Sequence, residues 1–535
     1  MGKEVKTKFV EQFKFEAGLK KVFMGMAGAG FVLLLAGIVI GGLTGEDHGH
    51  GGHGDGHGGE HHEDGAHGEE HSSLLTDDAI YQFASEQQGN EEVLPENDVP
   101  EDAPQDETDS EEAIVEEEGT APVVEGGEAE NPNMTDEDHP GEHYEDIHRS
   151  EKELAGGEPP LHDESGHEGH HHGYEPDLLK RVLVNININA FFFMGLGLLG
   201  LFFIAVNYTA NAGWYVLIKR IPEAFTRFIP IGWAILMVIL FAEMAGLTHI
   251  HPWTDSEWMA SDPLLGEKDW YLNTGFFIGR QLFIIVLWVL CDNLMRRYST
   301  AEDSLGGIEL FKKQRRLSAL FLIVFAFSFS MASWDWMQAL DPHFFSTMYA
   351  VHTFASVFVS ALCLLAVVMT ILKQMGYAPQ LNAAHFHDVG KFVFGFSIFW
   401  TYIWFSEFLL IWYANIPEEG MYFFRIMDNY PFLFTLNLVV NFLLPLLGLM
   451  TNTSKRIPMV LGPIAAVVFV GHWIDFYLLS MPSVLGPYGS VGLVEIGTYL
   501  LFLGVFLYLG FQALTKSSLV PKKHPYLQES IQHYY

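Results

Sequence analysis

Ten stretches of this chain are apolar over a length that crosses a bilayer, near 22–42, 182–206, 227–247, 271–291, 318–339, 347–372, 391–413, 430–450, 457–480 and 492–514. A hydrocarbon core of about 30 Å takes about 20 such residues as a helix. Lipid offers backbone N–H and C=O groups no partner, so the stretches must satisfy themselves as helices. The short alternating segments of a membrane barrel are not seen. These features predict an all-α integral membrane protein with ten transmembrane helices. The first stretch has a basic flank like a signal peptide, but its apolar run is long and no A-x-A-type site follows. It reads as a retained anchor.

Basic residues orient the spans. With the N-terminus in the cytoplasm, the two tails and the even-numbered connections hold 22 of the 29 Lys and Arg, among them Lys20, Lys21, Lys219, Arg220, Arg296, Arg297, Lys455 and Arg456. The outer connections hold six, and Arg280 lies within a span. The positive-inside bias predicts that both termini of this multi-pass protein are cytoplasmic.

The connection at 43–178 stands apart. It holds 42 acidic residues against two basic ones, and 16 of the 25 histidines. The formal net charge of −37 therefore belongs to this one periplasmic insert. Low hydrophobicity with high charge predicts a largely disordered segment, with a short helix near 74–88. Its histidine runs lack the fixed spacing of a structural metal site, and no metal site is expected. Attraction of a basic periplasmic protein is the electrostatic alternative.

Four carboxylates lie inside the spans and form two matching pairs. Glu243 and Glu407 follow Phe-Ala and Phe-Ser near the ends of spans 3 and 7. Asp335 and Asp475 sit in WDW and WID on spans 5 and 9. At 1.5 Å per residue both glutamates lie roughly 24 Å from the cytoplasmic end. Intramembrane carboxylates are costly and mark proton, ion or substrate routes. Their spacing predicts a duplication, with spans 2–5 and 6–9 as two four-helix bundles and spans 1 and 10 peripheral. The resulting divisions are 1–42, 43–178, 179–346, 347–480 and 481–535.

Other polar residues join this set. His472 shares a helix face with Asp475. Arg280 needs an anionic partner, which one of the carboxylates would supply. His343 and His352 flank the outer start of span 6. Asn185, Asn187, Asn189, Asn437 and Asn441 suit interhelical hydrogen bonds, and Glu495 reads as a solvated residue near the outer surface. Glu243, Asp335, Glu407, His472, Asp475, Arg280 and His352 are thus candidates for a proton pathway or a quinone site. The two cysteines, Cys291 and Cys363, form no CxxCH and no cluster set. Covalent haem and an iron–sulfur cluster are therefore not expected in this chain. His352 and His472 are the one span pair that a haem b would have.

Three segments resemble a known family: NAGWYVLIKRIPEAF between spans 2 and 3, WDWMQALDPHFFSTMY joining spans 5 and 6, and SEFLLIWYANIPEE ending span 7. They look like the ActF-type membrane subunit of bacterial alternative complex III, in the polysulfide-reductase (NrfD-like) superfamily. The resemblance runs from 182 to 514. It implies a complex that oxidises menaquinol or ubiquinol and passes electrons to periplasmic cytochrome c or a terminal oxidase. Haem c and iron–sulfur clusters would lie on partner subunits: a paralogous NrfD-like membrane subunit, an iron–sulfur subunit and multihaem or monohaem cytochromes c. No catalytic residue and no nucleic-acid partner is expected here. The competing readings are an ion or metal transporter with a His-rich collecting loop, and a structural scaffold. Carboxylates near the outside, with no span visibly interrupted by paired Gly and Pro, disfavour the transporter.

Overall fold

The computed structural model describes residues 12–44, 177–414 and 417–534. Most of the insert, including 74–88, lies outside the described residues.

Among the described residues ten helices are long and apolar enough to cross a membrane: Ala17–Gly42, Leu178–Thr209, Arg220–Met244, Thr274–Leu305, Ile308–Leu340, Met348–Gln374, Ala383–Ala414, Pro431–Gly448, Pro458–Tyr488 and Leu493–Leu514. The protein is an all-α, multi-pass membrane protein. Several helices outrun their apolar stretches. Span 4 continues past Cys291 for a further 14 residues, because its polar last turns pair with the connection between spans 2 and 3. Span 3 stops at Gly246, whose φ of 72° lets Leu247 N–H turn back to Ala242 O.

The two bundles have the same internal plan. Span 2 packs on spans 3 and 5, and span 5 on span 4; likewise span 6 packs on spans 7 and 9, and span 9 on span 8. Spans 2 and 6 are the central helices and also pack on each other. This explains the sequence of span 2. It is apolar all round, as a helix with no lipid face must be, and its Asn185, Asn187 and Asn189 are fully buried.

Spans 1 and 10 form a separate pair against the first bundle. Their backbones touch through glycine: a Cβ on Gly497 would lie 2.5 Å from Leu34 N, and one on Gly504 2.5 Å from Ala27 N. Small residues at such seams let dispersion contacts replace a hydrophobic drive that lipid does not provide.

The end of the molecule that holds the 43–178 connection is termed the carboxylate end, and the opposite one the basic end. Gly41, near the end of span 1, lies against the Leu178 side chain at the start of span 2. The insert therefore leaves and re-enters at neighbouring points. Replacing 46–172 by a short flexible linker is expected to leave assembly of the ten-helix core intact, checked by the yield and size-exclusion profile of the purified protein.

Two further features lay outside the sequence expectations. A helix at Pro417–Asn429 connects spans 7 and 8. Span 8 is also interrupted, by a π-helical turn at Val439–Leu443. Pro445 has no N–H to offer the Asn441 carbonyl four residues back, so the helix opens there.

Candidate functional site

The second bundle brings three of the candidate residues into one hydrogen-bonded chain. His352 enters from span 6 with its Nδ1 2.9 Å from Glu407 Oε2 and its Nε2 3.2 Å from Asp475 Oδ2. All three are buried. Both acceptors are carboxylate oxygens, and an imidazole donates from both nitrogens only when it is protonated. The chain is complete when the ring carries one proton beyond its neutral form. Moving that proton to either side leaves a protonated carboxyl facing a neutral imidazole.

The two carboxylates differ in support. Asp475 also accepts from Trp400 Nε1 at 3.0 Å and from Asn437 Nδ2 at 2.9 Å. Asn441 in turn donates to Asn437 at 2.6 Å, and it sits on the π-turn of span 8. Such turns often accompany functional sites; here one aligns two asparagines toward Asp475. Glu407 Oε1, by contrast, is buried without a hydrogen-bond partner. Beside it is a cavity of about 20 Å³ lined by His352, Glu407, Tyr422, Asn437 and Asp475 among others. Room for one water takes roughly 10–15 Å³. The cavity therefore accommodates water.

His472 is adjacent but not part of the chain. Its Nδ1 is 3.0 Å from Ser356 Oγ, and its ring meets Trp400 edge-on at 5.2 Å. Both nitrogens of His352 are already engaged by carboxylates, so the two histidines are not arranged as a haem pair.

The first bundle holds its carboxylates in another way. Asp335 is clamped by Arg280, with Nε and Nη2 each 2.8 Å from a carboxylate oxygen, and by Gln281 Nε2 at 2.5 Å. The Arg280 guanidinium also lies over the Tyr271 ring at 3.9 Å. Such a bidentate pair neutralises the aspartate and fixes its orientation. Glu243 accepts backbone N–H groups of Ile250 and His251 at 2.7 and 2.9 Å and has His251 Nδ1 at 2.9 Å. It anchors the loop that follows its own helix. The two groups meet at Trp336, whose ring is 6.1 Å from His251 and whose Nε1 donates to Gln281 at 2.8 Å.

One expectation is corrected. Glu495 is not solvated: it is fully buried, paired with Arg181 at 2.7 Å and bonded by Asn185 at 3.0 Å. His343, before the start of span 6, pairs with Asp262 at 2.5 Å. Lys219 and Arg220, counted among the connection charges, are buried. Lys219 pairs with Glu302 at 3.2 Å, and Arg220 with Glu223 at 3.0 Å and Asp303 at 2.5 Å. Burial lowers the Lys219 pKa, while Glu302 opposes that change. The C-terminal segment covers this cluster. Its His524 ring lies 5.8 Å from that of Tyr208, and burial, with Lys219 and Arg220 beside it, keeps that imidazole well below its ordinary pKa.

No protein-family model matches this chain, and no curated protein matches it either. Among the described residues no group of three or more His, Cys, Asp or Glu is arranged to hold a metal ion.

Proposed function

We propose that this chain is a membrane subunit of a respiratory quinol-oxidising complex of the alternative complex III type, and that its second bundle exchanges protons with the outer aqueous phase. The observation that carries the proton reading is the Glu407–His352–Asp475 chain, ending in an unpartnered carboxylate oxygen beside a water-sized cavity. A carboxylate–imidazole–carboxylate relay can take a proton at one end and release it at the other without burying an unpaired charge. A water-sized cavity favours this role over a quinone site at the same place, so the quinol is assigned to a partner subunit.

The respiratory reading rests on the three resembling segments, and each falls on a buried polar cluster. The 211–225 segment contains Lys219, Arg220 and Glu223; the 334–349 segment contains Asp335 and Asp341; the 406–419 segment contains Glu407. Their polar residues are thus used inside the fold. The first bundle, with both carboxylates locked, serves as scaffold in this reading. The positive-inside bias favours cytoplasmic termini and a periplasmic carboxylate end. The iron–sulfur and cytochrome c subunits supply the redox centres.

The test is made on the purified assembly. Haem and iron–sulfur subunits are expected to copurify with this chain. Glu407→Gln is expected to assemble normally and to slow quinol turnover and proton release by at least about tenfold, since an amide cannot relay a proton. Full turnover and full proton release in that variant would remove the proton role.

A further inference from the structure

The cavity beside Glu407 has a cover. The connecting helix Pro417–Asn429 places Tyr422, Phe423 and Ile426 on it, and all three are buried. The opposite face of this helix presents Met421, Phe424 and Met427, which are exposed. At 13 residues, with Glu418, Glu419, Arg425 and Asp428 in its sequence, this helix is too short and too polar to cross a bilayer. The remaining walls of the cavity come from spans 6 to 9, which are held by long helix–helix contacts. The connecting helix, 13 residues long, is shorter than any of these spans.

Its attachment is specific. The Tyr422 ring stacks on Phe344 at 3.9 Å and 9°, and its hydroxyl donates to Leu479 O at 3.1 Å. Arg425 Nη1 is 2.9 Å from Asp341 Oδ2, in the connection between spans 5 and 6. The arginine side chain is 20% exposed and the aspartate 8%. This ion pair therefore joins two connections, that between spans 5 and 6 and that between spans 7 and 8, with its arginine partly exposed. Beneath it the Tyr349 hydroxyl is buried without a hydrogen-bond partner, one helical turn before His352. Burial and the nearby Tyr349, Glu407, Asp341 and Asp475 raise the Tyr422 pKa, as fits a hydroxyl set among these groups.

We infer that the connecting helix is a lid over the Glu407–Asp475 cavity, latched by the Arg425–Asp341 ion pair, and that water from the carboxylate end reaches Glu407 beneath it. This rests on the proton reading only for its purpose. The lid itself is a statement about access and can be tested without turnover.

The experiment measures thiol accessibility. In a Cys291→Ser, Cys363→Ser background, Leu478→Cys places a thiol on the cavity wall. The protein is held in nanodiscs and labelled with a cationic methanethiosulfonate reagent. Asp341→Asn and Arg425→Gln are each expected to speed labelling by about tenfold, the factor that corresponds to roughly 1.4 kcal/mol. The two substitutions change the local charge in opposite directions. A purely electrostatic effect on the reagent would move the rates oppositely, whereas an opened latch raises both. Unchanged rates, or rates that move oppositely, would overturn the lid. If one variant fails to assemble, the other is read with an anionic and a cationic reagent, and acceleration of both reagents is required. A lid that opens as expected while Glu407→Gln retains full proton release would leave the lid standing and remove the proton role.

Discussion

Arg280→Leu is expected to destabilise the protein by about 3–5 kcal/mol, the cost of leaving one member of a buried ion pair without its partner. Arg280 and Asp335 have side-chain exposures of 3% and 0%, so water cannot take over for the lost guanidinium. Gln281 would remain as a donor, but one neutral amide does not offset a buried carboxylate. The measurable result is a complex that accumulates poorly and loses its size-exclusion peak at a lower temperature. The double variant Arg280→Leu, Asp335→Leu is expected to recover much of that loss, because a neutral pair of similar volume has no charge to desolvate. Lys312→Ala provides the contrast. Its partner Glu309 and Lys312 itself are largely exposed, and such pairs contribute within about 1 kcal/mol. If Arg280→Leu alone were as stable as the parent, the clamp would have no structural weight, and the locked character of the first bundle would have to be abandoned.

The same contrast between the bundles shows what could be read from the chain in advance. The ten spans were legible because each is a long uninterrupted apolar run, and lipid permits such runs few alternatives. The four carboxylates were legible for the opposite reason: a charge inside such a run is conspicuous. Arg280 announced its need for an anion in the same way. What escaped was contact between segments that lack periodicity. His251 lies in a short return loop, HIHP, and nothing in its spacing shows that it folds back on Glu243. Lys219 and Arg220 looked like ordinary basic loop residues. Only the adjacent acids Glu302 and Asp303 at the far end of span 4 hinted at a pairing, and their distance in sequence conceals it. Glu495 looked solvated because Arg181, its partner, lies more than 300 residues away. The connecting helix carries Glu418, Glu419, Arg425 and Asp428 among its apolar residues, and this mixture hid it between two spans. The break in span 8 follows from Pro445 alone, but proline is tolerated in membrane helices too often to settle the matter from sequence.

His352→Gln is expected to separate structure from proton transfer most sharply. The glutamine amide can donate toward one carboxylate and keep the spans together, but it cannot accept a proton on one side and give it up on the other. Glu407 and Asp475 would then be two acids with no shared base between them. Turnover-coupled proton release should fall by about 10²–10⁴-fold, the range that a positioned acid–base group supplies, while subunit composition stays unchanged. His352→Leu should do worse, because it removes the donor that the two buried carboxylates share, and one of them must then hold a proton permanently. The corresponding change in the first bundle, His251→Gln, is expected to leave proton release within about twofold: Glu243 keeps its two backbone donors, and a loop anchor need not cycle its proton. The comparison is made by stopped-flow pH measurement on the reconstituted assembly, with quinol oxidation followed in parallel. Equal losses in His352→Gln and His251→Gln would mean that both bundles move protons. Full proton release in His352→Gln would mean that neither carboxylate of the second bundle depends on the imidazole between them.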